Sequence, residues 1–290
     1  MNSLKNPTLA PRPLTRRALA CGALLSIALT GIGHDAAAQI KTADNPEGNP
    51  VWKKVRASLF QSRPIAPASD DVLSLVVPVR AEDAAIVPIA IRSRMKQTPE
   101  RYIDKVWLII DNNPSPISAI FHFTPLSGRA DIETRVRVDE YTHIRAIAET
   151  NDGKLQMATA FVKASGGCSA PPAKDAEAAL KTLGRMKLSL QGPADGDKPQ
   201  LAQLMISHPN NSGLALDQVT RLYTPAHFVR QVNITYAGQP VMSADVDFSI
   251  SENPNFRFYF VPKGDGVLKA DVVDSRDLQF ESTLKYRRPE

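Results

Sequence analysis

Cysteine is almost absent: 290 residues carry two, Cys21 and Cys168. Cys21 lies in an N-terminal stretch with the features of a cleavable leader, so the mature chain is expected to keep one thiol and to form no internal disulfide. In an oxidising compartment this excludes a disulfide-stapled scaffold. Cys168 is left able to form a mixed disulfide, a persulfide, an intermolecular bridge or an oxidised sulfur acid. Histidine is also scarce. Beyond the leader stand His122, His143, His208 and His227, with no paired-histidine motif and no cysteine pair at ligand spacing, so no metal site is expected. The chain further lacks a Gly-rich phosphate loop after a strand, a serine nucleophile elbow, a paired-carboxylate motif and a basic run interleaved with aromatics. No cofactor and no nucleic-acid partner are therefore expected.

The leader accounts for most of the basic charge. Arg12, Arg16 and Arg17 precede an apolar stretch from Ala18 to Ile32, and Ala36-Ala37-Ala38 stands before Gln39. This is the pattern of a signal peptide over residues 1–38, too short for a permanent membrane span. Thr15 to Leu19 is similar to a twin-arginine export signal, with Leu19-Ala20 where a bulkier pair is usual, and general secretory export stays open. A periplasmic protein with no membrane attachment after cleavage is expected. Removing Lys5, Arg12, Arg16, Arg17 and Asp35 lowers the formal net charge from +5 to +2.

The mature chain divides into two strand-rich halves. Residues 39–49 are polar, and Pro50 opens a short amphipathic helix with Val51, Val55 and Leu59 on one side. Strand patterns follow at Leu73 to Val79, Ile86 to Ile91, Lys105 to Asp111, Ser118 to Phe123, Ile132 to Val138, Thr142 to Glu149 and Leu155 to Val162. Turn signals at Asn112-Asn113-Pro114, Ser127-Gly128 and Asn151-Asp152-Gly153 separate them, as in an antiparallel sandwich. Residues 169–200 break the pattern with a helix candidate from Ala173 to Lys187 and an open Gly/Pro/Asp linker. A second series runs over Leu201 to Ser207, Phe228 to Tyr236, Gln239 to Asp247, Asn255 to Val261, Gly266 to Val273 and Leu278 to Tyr286. The domains expected are thus 39–168 and 201–290, all-β, joined by a linker with a short helix.

Cys168 sits between these halves in Lys163-Ala-Ser-Gly-Gly-Cys-Ser-Ala-Pro-Pro172. Gly166 and Gly167 give a tether with backbone freedom on one side, and the proline pair stiffens the other. The pattern suggests an exposed, presented thiol; an incidental cysteine in a linker is the plain alternative. A Cys–His hydrolase using His122 or His143 would need a rigidly held nucleophile, which a Gly-Gly tether opposes. His122, between Phe121 and Phe123, is expected on the solvated face of a strand, as are Asp245 and Asp247.

Several strings carry a resemblance. Leu75 to Ile89, Ile110-Asp-Asn-Asn-Pro-Ser-Pro116, Glu133-Thr-Arg-Val-Arg137, Asp152-Gly153 and Gly166-Gly-Cys168 resemble the SoxY sulfur carrier family. Ser207 to Leu214, Thr224 to Val229 and Ser251 to Phe258 resemble its partner family, SoxZ. The whole is similar to fused SoxYZ-like carriers associated with quinoprotein dehydrogenases. The resemblance implies two immunoglobulin-like sandwiches packed as a pseudo-heterodimer, with no catalysis of their own. It implies a thiol at Cys168 that carries a sulfur-containing intermediate of thiosulfate oxidation on a Gly166–Gly167 arm. The partners implied are periplasmic sulfur-oxidation enzymes or a quinoprotein dehydrogenase. Only Gly166, Gly167 and Cys168 match the family's Gly-Gly-Cys-Gly-Gly arm, since Ser169 and Ala170 replace its last two glycines.

Overall fold

Alternation of apolar and polar residues is realised as pleated strands whose buried faces meet in one core. A computed structural model describes residues 45–171, 181–193, 195–217 and 220–288. The first half contains helix α1 (Pro50–Phe60) and strands β1 (Ile65–Pro67), β2 (Ser74–Val76), β3 (Val87–Arg92), β4 (Ile103–Ile110), β5 (Ile117–Phe123), β6 (Ile132–Val136), β7 (Thr142–Thr150) and β8 (Leu155–Val162). The second contains β9 (Met186–Leu190), β10 (Gln200–Ile206), β11 (Val229–Tyr236), β12 (Gln239–Val246), β13 (Asn255–Phe260), β14 (Gly266–Asp274) and β15 (Gln279–Tyr286). The all-β, immunoglobulin-like sandwich architecture is as expected. Every strand pattern named above appears, with its ends moved by a few residues.

The two halves share their sheets. One sheet has nine strands in the order β1-β8-β7-β4-β5-β12-β11-β14-β15, and the other six in the order β2-β3-β6-β13-β10-β9. At the seam β5 pairs antiparallel with β12, Phe123 opposite Met242 through Ala119 opposite Val246. In the facing sheet β6 pairs with β13 through Ile132 with Phe258 and Glu133 with Arg257. Each half thus covers an edge strand that the other would leave with bare N–H and C=O groups. Side chains from both halves, Phe121 and Phe123 with Ala244, Phe256 and Phe258, lie in one hydrophobic cluster. The pseudo-heterodimer is therefore a continuous sandwich, joined by backbone ladders as well as by apolar burial.

Helix α1 packs on the outside of the nine-stranded sheet. Asn49 caps it, its Oδ1 accepting from the backbone N–H groups of Val51 (2.8 Å) and Trp52 (3.1 Å). The anchors are Trp52 and Phe60, set against Trp107, Ile109, Ile147 and Leu155, with Val55 and Leu59 half-buried beside them. The buried stripe is turned from the expected one because the largest apolar side chain, Trp52, takes the contact.

Two strands escaped the sequence patterns. β9 pairs with β10 and begins inside the helix candidate Ala173 to Lys187, whose residues 173–180 lie outside the described residues. β1 is three residues long and runs parallel to β8. His122 behaves as expected: it faces outward between buried Phe121 and Phe123, and its Nε2 lies 3.4 Å from Asp245 Oδ2 across the seam.

Candidate functional site

Beyond β8 the chain loses its ladder at Lys163 and turns into the seam between the halves. The backbone N–H of Gly166 donates to the carbonyl of Asp139 (2.7 Å) and that of Gly167 to the carbonyl of Val138 (2.9 Å). From the second half, Ser212 Oγ donates to the carbonyl of Cys168 (2.5 Å). Arg137, itself buried, spans both sides: Nη1 donates to Gly167 O (3.4 Å) and Nη2 to Asn210 O (3.3 Å).

This geometry corrects the exposed-thiol expectation. Cys168 lies in irregular structure, as expected, but has no solvent-exposed area. The glycines serve a fitted turn. A Cβ on Gly167 would lie 2.0 Å from Ala84 O and 2.7 Å from Val138 O, so glycine is needed there for close approach. Gly166 meets nothing, but its φ of +81° is a left-handed conformation that favours glycine. The same pair of residues that suggests a loose tether thus suits a segment pressed against neighbouring backbone.

Burial sets the chemistry of the thiol. It pushes the Cys168 pKa up to about 12; Asp139 and Asp247 push the same way, and Arg137 only partly opposes them. At neutral pH the thiol is then held protonated in this position, whereas the thiolate is the nucleophile. The sulfur is also held out of solvent. Neither His122 nor His143 is among the groups that act on the thiol; His143 sets its ring edge-on to Phe161, 5.0 Å between ring centres. Asp247, expected on a solvated strand face, lies just past β12 and is half-buried; burial raises its pKa, and Ser115 Oγ donates to its Oδ2 (3.0 Å).

The floor of the site comes from polar residues that composition and spacing did not single out. Asn113 Nδ2 donates to Arg137 O (2.8 Å) and Ser249 Oγ (3.1 Å), and its Oδ1 accepts from Asp139 N (3.0 Å). Asn210 Nδ2 donates to Ile250 O (2.8 Å), and its Oδ1 accepts from Val229 N (2.9 Å). The strings 110–116, 133–137, 166–168 and 207–214, distant in sequence, converge here. Their convergence under one cysteine was the available signal.

Family comparisons fall on the same division. Residues 56–168 match the family described as sulfur oxidation protein SoxY, and the match ends on Cys168 itself. Residues 189–285 match sulphur oxidation protein SoxZ. The two matches stand in tandem along the chain. No curated protein matches it. Among solved structures it is similar to the sulfur carrier protein SoxY from Chlorobium limicola f thiosulfatophilum, at 22% identity and a TM-score of 0.34, covering 40% of this chain and 97% of that one. It is also similar to a superoxide reductase (neelaredoxin) from Ignicoccus hospitalis, at 13% identity and a TM-score of 0.29, covering 38% and 91% of the two chains. Fibronectin(III)-like modules of Clostridium thermocellum CbhA match at 12% identity and a TM-score of 0.21, covering 74% and 94%.

In the SoxZ half the fold brings together His208, His227 and Asp274, all buried, a grouping invisible in their spacing. Asp274 Oδ2 faces Nε2 of both rings, at 2.7 Å for His227 and 3.5 Å for His208. His208 Nδ1 accepts from the backbone N–H of Asn210 (3.0 Å), which places the proton of a neutral His208 on Nε2. That nitrogen then offers no lone pair to a cation, and the cluster is a hydrogen-bonded brace beneath the Ser212 loop. Burial, followed by the adjacent His227, pulls the His208 pKa down to about 4, with Asp274 only partly offsetting them. Burial alone would raise the Asp274 pKa, but hydrogen bonds from His227 and the backbone of Arg276 and Leu278 hold it below the ordinary value.

Both shifts make the fold acid-sensitive. Below an unfolded histidine pKa of about 6.5 the unfolded chain takes up a proton that folded His208 does not bind until about pH 4. Stability from this group is therefore lost as pH falls through that window, on the order of 3 kcal/mol if the whole shift is realised. Asp274 adds a further loss at lower pH. His208→Gln, whose amide can accept from Asn210 and donate to Asp274, is expected to flatten the fall in urea-unfolding free energy between pH 6.5 and 4. An unchanged slope would show that the brace does not govern acid stability.

Proposed function

We propose that the chain is an exported carrier, periplasmic and without catalytic activity of its own, that holds a sulfur-containing group covalently on Cys168 and presents it to sulfur-oxidation enzymes. The observation that carries this reading is that the SoxY match ends on the one cysteine outside the leader, and the SoxZ half supplies the hydroxyl that binds its carbonyl. The resting position described above then stores an unreactive thiol between deliveries. Intact-mass analysis of protein purified from its own exporting cells under non-reducing conditions tests it. Wild type is expected to show mass adducts that reductant removes and that Cys168→Ala lacks. Unmodified wild type under conditions of sulfur-compound oxidation would refute the assignment.

The burial of Cys168 favours a second reading, an accessory module that docks to a periplasmic quinoprotein dehydrogenase with no covalent role for the thiol. It requires the absence of adducts and an unaltered phenotype in the Cys168→Ala strain.

A further inference from the structure

The backbone segments that grip the Gly166–Cys168 turn also carry carboxylates outside any ion pair, of which Glu252 and Asp83 act on the buried Arg137 at longer range. Residues 82–84 and 138–141 are tied together by the bond from Val138 N to Ala84 O (2.8 Å), and both contact Gly167. They carry Glu82, Asp83, Asp139 and Glu140. Ser251 of the SoxZ half donates to Ala85 O (2.7 Å), which brings Glu252 beside them. Among the described residues none of these five carboxylates forms an ion pair. The cations on the same segments are Arg80 and Lys163, both exposed, and the buried Arg137, so carboxylates outnumber them.

Apolar side chains lie exposed on the same framework. Val79, whose carbonyl accepts from Lys163 N, is 73% exposed, and Tyr141 is 39% exposed. In the SoxZ half the loop that begins with Ser212 carries Leu222 and Tyr223, 68% and 65% exposed. Val79 stands beside Arg80 and Lys163, and Leu222 follows the exposed Arg221, so these apolar groups are set among mixed charges in which carboxylates are in excess. Exposed apolar groups rimmed by polar ones are the composition of a docking surface.

We propose that this acidic, apolar collar is a docking surface for a protein whose own site is apolar and ringed by basic side chains, and that it turns small free anions away from Cys168. The inference rests on the carrier reading and names the kind of partner that loads the thiol: a basic protein face, with no direct loading by an anion from solution. Burial is the main cause that disfavours negative charge on the sulfur; Asp139 and Asp247 act in the same sense and Arg137 opposes them.

The test uses the mature full chain and reads the rate of Cys168 modification, so it does not depend on whether native adducts exist. Two methanethiosulfonate reagents of similar size are compared, one bearing trimethylammonium and one bearing sulfonate. At low ionic strength the cationic reagent is expected to react at least about tenfold faster, with the ratio falling toward unity near 1 M salt, where screening is nearly complete. The same collapse is expected in the triple variant Glu82→Gln, Asp83→Asn, Glu140→Gln. An alternating lysine–leucine peptide is expected to accelerate labelling by a neutral reagent, and its glutamate–leucine counterpart is not. Equal rates for the two charged reagents at low salt, or equal effects of the two peptides, would overturn the proposal. Loss of native adducts alone would instead count against the carrier reading.

Discussion

Replacing Gly167 with alanine should raise the rate at which a neutral maleimide labels Cys168 in the folded protein by about a hundredfold or more. The added Cβ would sit well inside contact distance of two carbonyl oxygens, Ala84 O and Val138 O, that belong to backbone rather than to side chains able to swing aside. Those two residues are also bonded to each other, so neither yields easily. A clash of that depth costs a few kcal/mol, and each 1.4 kcal/mol is a factor of ten in the population of the undocked turn. Gly166→Ala is the control. Its position is open and suffers only left-handed strain, about 1 kcal/mol, so labelling should rise less than tenfold. Tm should fall by only a few degrees in either variant, because no strand ladder runs through residues 164–171. Equal, wild-type rates in both would mean that the turn does not govern access to the thiol.

That contrast also marks the limit of what the sequence could tell. Strand positions were legible because alternation is a local property: Phe121 and Phe123 inward with His122 outward needs no knowledge of the partner strand. The seam was not legible. Pairing of β5 with β12 uses backbone groups common to every residue, and an edge strand that will be covered by another half looks like any other half-buried strand. The strand Met186–Leu190 was missed because its first two residues fall inside the helix candidate ending at Lys187, where the Ala-, Lys- and Leu-rich residues share helical spacing. At Cys168 the two glycines had two physical meanings, freedom and close approach, and the choice between them depends on Ala84 and Val138. The histidine brace was hidden for the same reason: Asp274, which joins His208 to His227, stands at the end of β14.

The same dependence on distant partners governs the largest stability effect expected in the molecule. Arg145 is fully buried beneath α1; its Nε and Nη2 donate to Asp111 (2.8 and 2.7 Å), Nη1 to Glu47 (3.2 Å), and the guanidinium lies 4.2 Å from the centre of the Trp52 ring. Burial raises the Asp111 pKa in spite of Arg145, and a buried ion pair of this kind commonly gains little or nothing over apolar packing of the same volume. Breaking it is another matter. Asp111→Ala would leave a buried cation with Glu47, the carbonyl of Pro46, Met157 Sδ and the Trp52 ring but without its one buried carboxylate, and should cost about 3 to 5 kcal/mol, lowering Tm by roughly ten degrees. The double variant Asp111→Leu, Arg145→Met should recover most of that loss, since it removes both charges and keeps volume under Trp52. Because Asp111 begins the Asp-Asn-Asn turn whose Asn113 holds Arg137 and Asp139, the single variant should also speed Cys168 labelling, and the double variant should restore it. Urea unfolding of the four proteins in the cycle measures the coupling. Additive losses, with the double variant the least stable of the four, would show that Arg145 and Asp111 act independently and that the turn beneath the cysteine is held by its asparagines alone.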